Sequence, residues 1–420
     1  MAAPSTRSAV PPAAAPLSVP FFRPSIGEAE IAEVVNCLRS GWLTSGPTTK
    51  RFEANFAAAV GAKHAVALNS ATAALHLATE ALGLARGQGV LVPTMTFAAT
   101  AEIVRYQGAT PILVDCDPQT FNMDLEDAER KIALARSGKL PAANGEKLEV
   151  CGMIPVHVSG LMMDISAVDA LAKRHALWVV EDAAHAFPAA WRPSAQSPWQ
   201  RCGEGTSAVS CFSFYANKTI TTGEGGMAVT NDAALADRMR LMSLHGLSHD
   251  AWGRYSGGGS WDYQIIEAGY KYNLTDIAAA IGVHQLERAE AMRVERESIA
   301  RAYLDELGDL AELELPVVPE NRIHAWHLFP VRLRLEKLAI DRNEFITKLK
   351  AAGVGCSVHW RPLHLHPYYR DRFGWTSEQF PVASPLWERL VSLPVFPGMQ
   401  PAERAHVVRI VRDLCVQNRA

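Results

Sequence analysis

One lysine, Lys218, stands in the stretch Cys211-Phe-Ser-Phe-Tyr-Ala-Asn-Lys218-Thr-Ile-Thr-Thr-Gly-Glu-Gly-Gly226, just ahead of a glycine-rich turn. Its neighbours are apolar or hydroxyl-bearing, and a lysine among such residues loses hydration of its charged form. The neutral amine that results is a nucleophile toward carbonyl carbons and can form a Schiff base. A surface lysine between two strands fits the same local sequence. Upstream, Leu177-Trp-Val-Val-Glu-Asp182-Ala-Ala-His185-Ala holds a short apolar run followed at once by Asp182 and His185. The run reads as a buried strand, and open α/β sheets place their ligands at the carboxyl ends of such strands. An acid there is also a common helix cap.

The lysine and the acid, in this order, suit pyridoxal phosphate. Its aldehyde takes a lysine, and its pyridine nitrogen wants a carboxylate to keep the ring electron-withdrawing. Asp182 fits that nitrogen, and His185 fits the ring hydroxyl or one ring face. A third segment, Ala65-Val-Ala-Leu-Asn69-Ser70-Ala71-Thr72-Ala-Ala-Leu, reads as a strand, a Ser70 cap and an Ala/Leu-rich helix. Free amides at a helix start hold anions, which suits a phosphate. No G-x-x-x-x-G-K-[ST] is present, so a triphosphate P-loop is not indicated. Phe97 follows another apolar strand and can stack on a flat ring, or serve as ordinary core.

These elements need a scaffold. Strands are expected at 65–69, 90–93, 111–115, 153–158, 178–181, 208–213 and 227–230, alternating with helices. That pattern argues a mostly parallel seven-stranded sheet covered on both faces. Ile31, Val34, Val35 and Leu38 recur at helical spacing, with Gly41 as the stop. The division expected is a tail over 1–17, a large domain over 18–274, a linking helix over 275–307 and a small α+β domain over 308–420. In the last, strands are expected at 326–335 and 354–358. The segment 192–205 reads as a surface hairpin or loop. Ser256-Gly-Gly-Gly-Ser260, flanked by Trp252, Arg254, Tyr255 and Trp261, reads equally as a substrate lid or a solvent-facing loop.

Composition fits a large soluble enzyme: 420 residues, 48% hydrophobic and 20% charged. A formal net charge of −3 gives no sign of nucleic acid or anionic membrane as partner. No apolar run approaches the roughly 20 residues that span a bilayer. The Ala/Pro-rich first seventeen residues lack the pattern of a signal peptide and are expected to be disordered. Seven scattered cysteines without a C-x-x-C pair point to reduced thiols and the cytoplasm. Among the histidines, His359, His364 and His366 are the densest group, yet no cysteine or acid at matching spacing completes a zinc set, so no metal is expected. Arg361 between them suits a pyrophosphate or a surface salt bridge.

In its motifs the chain resembles the pyridoxal-phosphate sugar aminotransferases of the DegT/StrS family. The residues that carry the likeness are Gly41-Trp-Leu-Thr44-Ser-Gly-Pro47, Asn69-Ser-Ala-Thr72, Glu181-Asp-Ala-Ala-His185, Phe212-Ser-Phe-Tyr-Ala-Asn-Lys218, Gly223-Glu-Gly-Gly226, Gly269-Tyr-Lys-Tyr-Asn273-Leu-Thr-Asp276 and His324-Ala-Trp-His327-Leu-Phe. The resemblance implies the aspartate-aminotransferase type of fold, fold type I. It implies that Lys218 forms the Schiff base and acts as general base, and that Asp182 pairs with the pyridine nitrogen. Phe97 would stack on the ring, His185 would meet the ring oxygen, and Ser70, Ala71, Thr72 and Ser213 would hold the phosphate. Asn273 would reach the phosphate of a neighbouring subunit, which makes the enzyme a homodimer with shared sites. Thr44, His327 and Arg361 fall near the substrate. Ala71 departs from the glycine of many members, and a small residue keeps the close backbone approach.

The implied reaction carries the amino group of L-glutamate to a nucleotide-linked 4-keto sugar, ping-pong through pyridoxamine phosphate. The segments 269–276 and 352–370 look most like the 4-amino-4-deoxy-arabinose aminotransferases of lipopolysaccharide modification. A 3-keto sugar or an amino-cyclitol is the alternative. A dehydratase of the family would have histidine in place of Lys218, and a non-catalytic regulator would not need the intact set.

Overall fold

The computed structural model describes residues 17–143, 145–205, 207–248 and 264–420. Except for Leu17, the expected tail lies outside the described residues, as does the Gly/Ser loop around residues 256–260. Short, nearly unbroken apolar runs form the central sheet: β1 (His64–Leu68), β2 (Gln88–Pro93), β3 (Thr110–Val114), β4 (Glu149–Met153) and β5 (Trp178–Asp182). After β5 come a two-residue pair, β6 (Ala190–Trp191) and β7 (Gln200–Arg201), and then β8 (Val209–Ser213) and β9 (Gly226–Thr230). The seven-stranded order is β1-β9-β8-β5-β4-β2-β3. Pairings from β3 across to β8 are parallel, while β9 runs antiparallel to both β8 and β1. Strands buried on both faces read as continuous hydrophobic runs rather than alternating ones.

The helices on the sheet follow from capping and periodicity. Helix α1 (Glu28–Ser40) stops at Gly41, whose φ of 76° is the left-handed conformation that favours glycine. Next in the chain are α2 (Pro47–Val60), α3 (Ala71–Ala81), α4 (Ala99–Tyr106), α5 (Leu125–Ser137), α6 (Ile165–His175) and α7 (Ala233–Ser243). Ser70, Asp124, Asp164 and Asp232 each accept a backbone N–H at a helix start. An aromatic group of Phe52, Phe56, Phe187, Phe212 and Phe214 packs beneath the ends of β8 and β9, with Phe214 5.2 Å from Phe52. It anchors the loop that carries Lys218.

Four expectations need correction. The fourth strand ends at Met153 instead of beginning there. Pro155 lacks the N–H a ladder requires, so residues 154–156 leave β4 with Ile154 N–H on the Leu91 carbonyl at 2.9 Å and Val156 in a lone bridge to Asp182. The helical stretch over 275–307 is two helices, α8 (Asp276–Glu287) and α9 (Ala289–Leu307), with Arg288 as the joint. The Arg288 guanidinium is held by Glu30 and Ser25, away from the helix line. Beyond it lie β10 (Leu313–Glu314), β11 (Arg322–Ile323), β12 (Phe329–Leu333) and β13 (Leu390–Leu393). Residues 326–328 stay out of β12, because Trp326 turns with φ 50°. Residues 354–358 make only isolated bridges, Val354 to Val19 and Ser357 to Ser392.

Strands β10, β12 and β13 form a second, antiparallel sheet. β11 joins β6 and β7, so residues 192–199 are the tip of a small hairpin whose second strand, β7, also falls within the 192–205 segment. The apolar stripe of α1 does not meet the chain's own core. Ile31 and Leu38 are exposed, whereas Glu30 is buried and bonded to Gln285 and Arg288.

Candidate active site

Three strand ends and one helix start converge on a cavity of about 390 Å³. From β1, Ser70 opens α3 by accepting the Ala73 N–H at 3.1 Å. That leaves the first amides of the helix, at Ala71 and Thr72, aimed outward without intrahelical partners. Gly226 of β9 lies against the Ser70–Ala71 peptide so closely that a Cβ would sit 2.5 Å from Ala71 N. From β8 come Ser213 and the loop bearing Lys218. This loop is self-bonded: Phe214 N–H donates to the Gly225 carbonyl at 2.9 Å, and the Thr221 hydroxyl to the Phe214 carbonyl at 3.0 Å. From β5 come Asp182 and, one turn on, His185.

Asp182 is buried, and its two oxygens have different partners. Thr100 on α4 donates its hydroxyl to Oδ2 at 2.8 Å, and Ala184 N–H reaches Oδ1 at 3.1 Å. Thr96 touches Thr100 Oγ1 at 2.7 Å and completes the chain. Burial raises the Asp182 pKa, opposed by these bonds and by Lys218. Burial pushes the Lys218 amine down to about 8, with Asp182 pulling back. Lys218 Nζ lies 3.4 Å from His327 Nε2. His185 packs between His327, centroids 4.1 Å apart, and the stacked ring of Trp360 at 5.0 Å. Burial holds His185 and His327 well below the usual imidazole range and His359 at about 4, so neutral rings surround the amine.

Next to Asp182, Glu181 faces the other side of β5 and meets His157 Nε2 at 2.6 Å, with Ser207 and Ser210 as further donors. Burial opposes its ionisation, and these donors together hold it below the ordinary carboxylate range. Cys202 lies 4.0 Å from the same carboxylate. The hydrogen bonds fix the end of β5, and the His157 N–H to Asp182 carbonyl bond, 3.2 Å, ties the neighbouring loop to it.

Of the residues singled out from the sequence, Ser70, Ala71, Thr72, Phe97, Asp182, His185, Ser213, Lys218 and His327 all line this cavity. Phe97 is 64% exposed, with its ring toward open space. Three others lie elsewhere. Asn273 bonds Ser45 Oγ at 2.7 Å and lines a second cavity with Ser45, Gly46 and Lys50. Thr44 is exposed, its carbonyl accepting the Asp276 N–H at 3.1 Å. Arg361 is exposed, bonded to the Leu365 carbonyl at 3.0 Å and lying over Trp387.

The histidines around Arg361 disperse rather than converge. His359 pairs with Ser392, His364 with Thr94 and Ser384, and His366 with the Arg361 carbonyl. Sequence reasoning missed Thr100, which holds Asp182, and gave no role at this site to His359 or Trp360 in the cavity wall. A threonine at the second residue of a helix carries no local signal of such a bond.

Pyridoxal phosphate fits what the cavity offers. A depressed amine and a buried carboxylate share it with a helix start built for an anion, and an exposed aromatic ring stands beside them. His185 Nδ1 and Asn217 Oδ1 are buried without partners, and such atoms call for a ligand or water. Thr100 and Ala184 leave the Asp182 carboxylate with lone pairs to spare.

Comparison with known proteins agrees. The chain is 42% identical over 397 residues to the spore coat polysaccharide biosynthesis protein SpsC of Bacillus subtilis, covering 94% of this chain and 97% of that one. The putative sugar aminotransferase Spr1654 of Streptococcus pneumoniae, solved in PLP and PMP forms, superposes with a TM-score of 0.84 at 29% identity. In the PLP form the match covers 96% of this chain and 99% of that one. DesV of S. venezuelae, solved with a ketimine intermediate, gives 0.81 at 30% identity, covering 95% and 98%. The sequence profile of the DegT/DnrJ/EryC1/StrS aminotransferases matches residues 24–412. With that profile over nearly the whole chain and a cavity furnished for pyridoxal phosphate, the chain belongs to the DegT/DnrJ/EryC1/StrS aminotransferase family and is a pyridoxal-phosphate-dependent sugar aminotransferase.

Proposed function

We propose that this enzyme moves the amino group of L-glutamate to a nucleotide-linked 4-keto sugar, the two substrates occupying one cavity in turn. The observation that carries the reading is the meeting of Lys218, Asp182 and the α3 start in a single cavity. Bound pyridoxal phosphate supplies the aldehyde that takes up the amino group and a ring that stabilises negative charge on the carbon being deprotonated. Lys218 is held there as a largely desolvated amine, able to bond the cofactor and, once displaced, to take and return a proton at Nζ. Asp182, fixed by Thr100 and Ala184, supplies the anionic partner for the ring nitrogen. Ser70, Ala71, Thr72 and Ser213 would hold the phosphate, Phe97 would cover the ring, and His185 would meet its oxygen. Thr44, His327 and Arg361 are assigned to the substrate.

The enzyme works as a homodimer on this reading. Asn273 sits away from its own chain's cavity, and Ile31, Leu38, Leu43, Ile265 and Ile266 are exposed apolar residues that a second copy would cover. Seven unpaired cysteines fit a reducing cytoplasm. Among the described residues no helix is long and apolar enough to cross a membrane. Domain limits at residues 274 and 307 belong to the same proposal.

The test is the absorption spectrum of the enzyme loaded with pyridoxal phosphate, before and after L-glutamate, followed by nucleotide keto sugars. Glutamate is expected to bleach the Schiff-base band and a 4-keto sugar to restore it. An unbleached band rejects the donor. Restoration by a 3-keto sugar or a keto-cyclitol alone rejects the acceptor.

A further inference from the structure

Arg296 on α9 is a buried cation, 2% exposed, and among the described residues it forms no ion pair. Its Nη1 lies instead within hydrogen-bond distance of three backbone carbonyls: Val395 at 2.7 Å, Trp326 at 3.2 Å and His327 at 3.4 Å. A guanidinium buried without a counter-charge is expensive, so the contacts it makes there are informative. Two of them fall on one turn, in which Trp326 takes φ 50°, a region a bulky residue enters only when its surroundings hold it. The same turn is held from other sides. Trp326 N–H donates to His324 Nδ1 at 2.7 Å, and Leu328 N–H donates to the Ser159 carbonyl at 3.3 Å. Gly160, at φ 98°, leaves room for Ala325 and Trp326, where a Cβ would come 2.9 Å from the Ala325 methyl. The product of this clamp is the placing of His327, whose Nε2 meets Lys218 Nζ at 3.4 Å.

We propose that Arg296 is a positioning residue for transamination: it clamps the Trp326–His327 turn so that His327 faces Lys218 and fixes the free amine in the cavity. The inference rests on the reading of Lys218 as the Schiff-base lysine. Lysine has a long flexible stem, and His327 gives its amine a defined partner whenever it is not bonded to the cofactor. Every charged or titratable group facing His327 favours its neutral form: His185 and His359 in the wall, Lys218 in front and Arg296 behind. A neutral imidazole with its proton on Nδ1 offers the Nε2 lone pair to the amine.

The test uses Arg296→Met and Arg296→Lys in the full chain. In the cofactor-free protein, ¹³C-labelled histidine NMR follows the His327 ring, identified by its loss in His327→Gln. Wild-type His327 is expected to stay neutral throughout the range from about pH 5 to 8. In Arg296→Met its midpoint moves up from the wild-type one, because one of the positive charges that disfavour the imidazolium is gone. In the loaded enzyme, the single-turnover rate with L-glutamate falls about 10- to 100-fold, as for a catalytic group misplaced by about 1 Å. Arg296→Lys keeps the charge without the planar fork and recovers part of both. If Arg296→Met does not fold, Arg296→Lys decides alone, with a rate reduced about threefold and a His327 midpoint above wild type expected. Wild-type titration and wild-type rate in the folded variants overturn the proposal. Failure of the Lys218 reading is a different result: no Schiff-base band in the wild type itself.

Discussion

Gly226 is where the sheet and the anion site press on each other. It pairs with Leu68 on one side and Ser213 on the other, so it lies between the strand that leads into α3 and the strand that leads to Lys218. A Cβ at this position would lie 2.5 Å from Ala71 N and closer still to the Ser70 carbonyl. Carbon contacts settle at about 3.5–4.0 Å, so Gly226→Ala drives the strand and the helix start apart by about 1 Å. Neither obstacle is a side chain that can change rotamer. Overpacking of this kind costs about 1–3 kcal/mol of stability. The displacement falls on the amides that receive the phosphate, and losing one charge-assisted hydrogen bond is worth about 1.5–3 kcal/mol.

At about 1.4 kcal/mol per decade, cofactor affinity then drops roughly ten- to a hundredfold. Absorbance titration with pyridoxal phosphate measures the affinity, and urea unfolding measures the stability. Gly205→Ala serves as control, because a Cβ there meets nothing within 4 Å. Cofactor affinity within twofold of wild type in Gly226→Ala refutes the reasoning.

Two further perturbations read the electrostatics. The Lys218 pKa is about 8 in the folded protein and near 10.5 when exposed, so the unfolded chain binds more protons between those values. Stability therefore rises with pH through that window as the cost of burying the ammonium is relieved. Cofactor-free Lys218→Met is expected to be more stable than wild type at pH 7, with the difference shrinking above pH 8; a constant difference from pH 7 to 10 contradicts this. Asp182→Asn keeps one acceptor oxygen for the Ala184 N–H, turns its NH2 toward the Thr100 hydroxyl, which can accept, and removes the charge opposite the ring nitrogen. It should slow the glutamate half-reaction about 100- to 1000-fold and lower the pH midpoint of Lys218 acylation in the cofactor-free protein. An unchanged rate reassigns the ring partner.

The sheet was legible because buried parallel strands write themselves as apolar runs, and six of the seven expected strands lie within two residues of those observed. The fourth failed for a local reason, Pro155, whose missing N–H ends a ladder that hydropathy alone would continue. The joint at Arg288 was hidden because its cause is tertiary: Glu30 and Ser25, distant in the chain, pull the guanidinium aside. In the site, Asp182 and Ser70 stood out because they lie at strand ends, and Lys218 because of its apolar and hydroxyl neighbours and the glycine-rich turn that follows. Thr100, His359 and Trp360 reach the cavity through packing that no sequence spacing encodes. Thr44 carried motif likeness only and Arg361 that likeness and its guanidinium, and in the single chain neither lines the cavity.

The place of β9 in the sheet also has a consequence in time. β1 is an edge strand whose ladder partner among the described residues is β9, with Leu68 opposite Gly226. On a ribosome adding about 5–20 residues per second, β1 and α3 wait roughly ten seconds or more for their partner to appear. Until then the apolar face of β1 has no sheet to join, and the cradle for the phosphate has no floor. Capture of the cofactor during synthesis would therefore mark the insertion of β9, a late and non-local step whose loop-closure cost must be met before any contact rewards it.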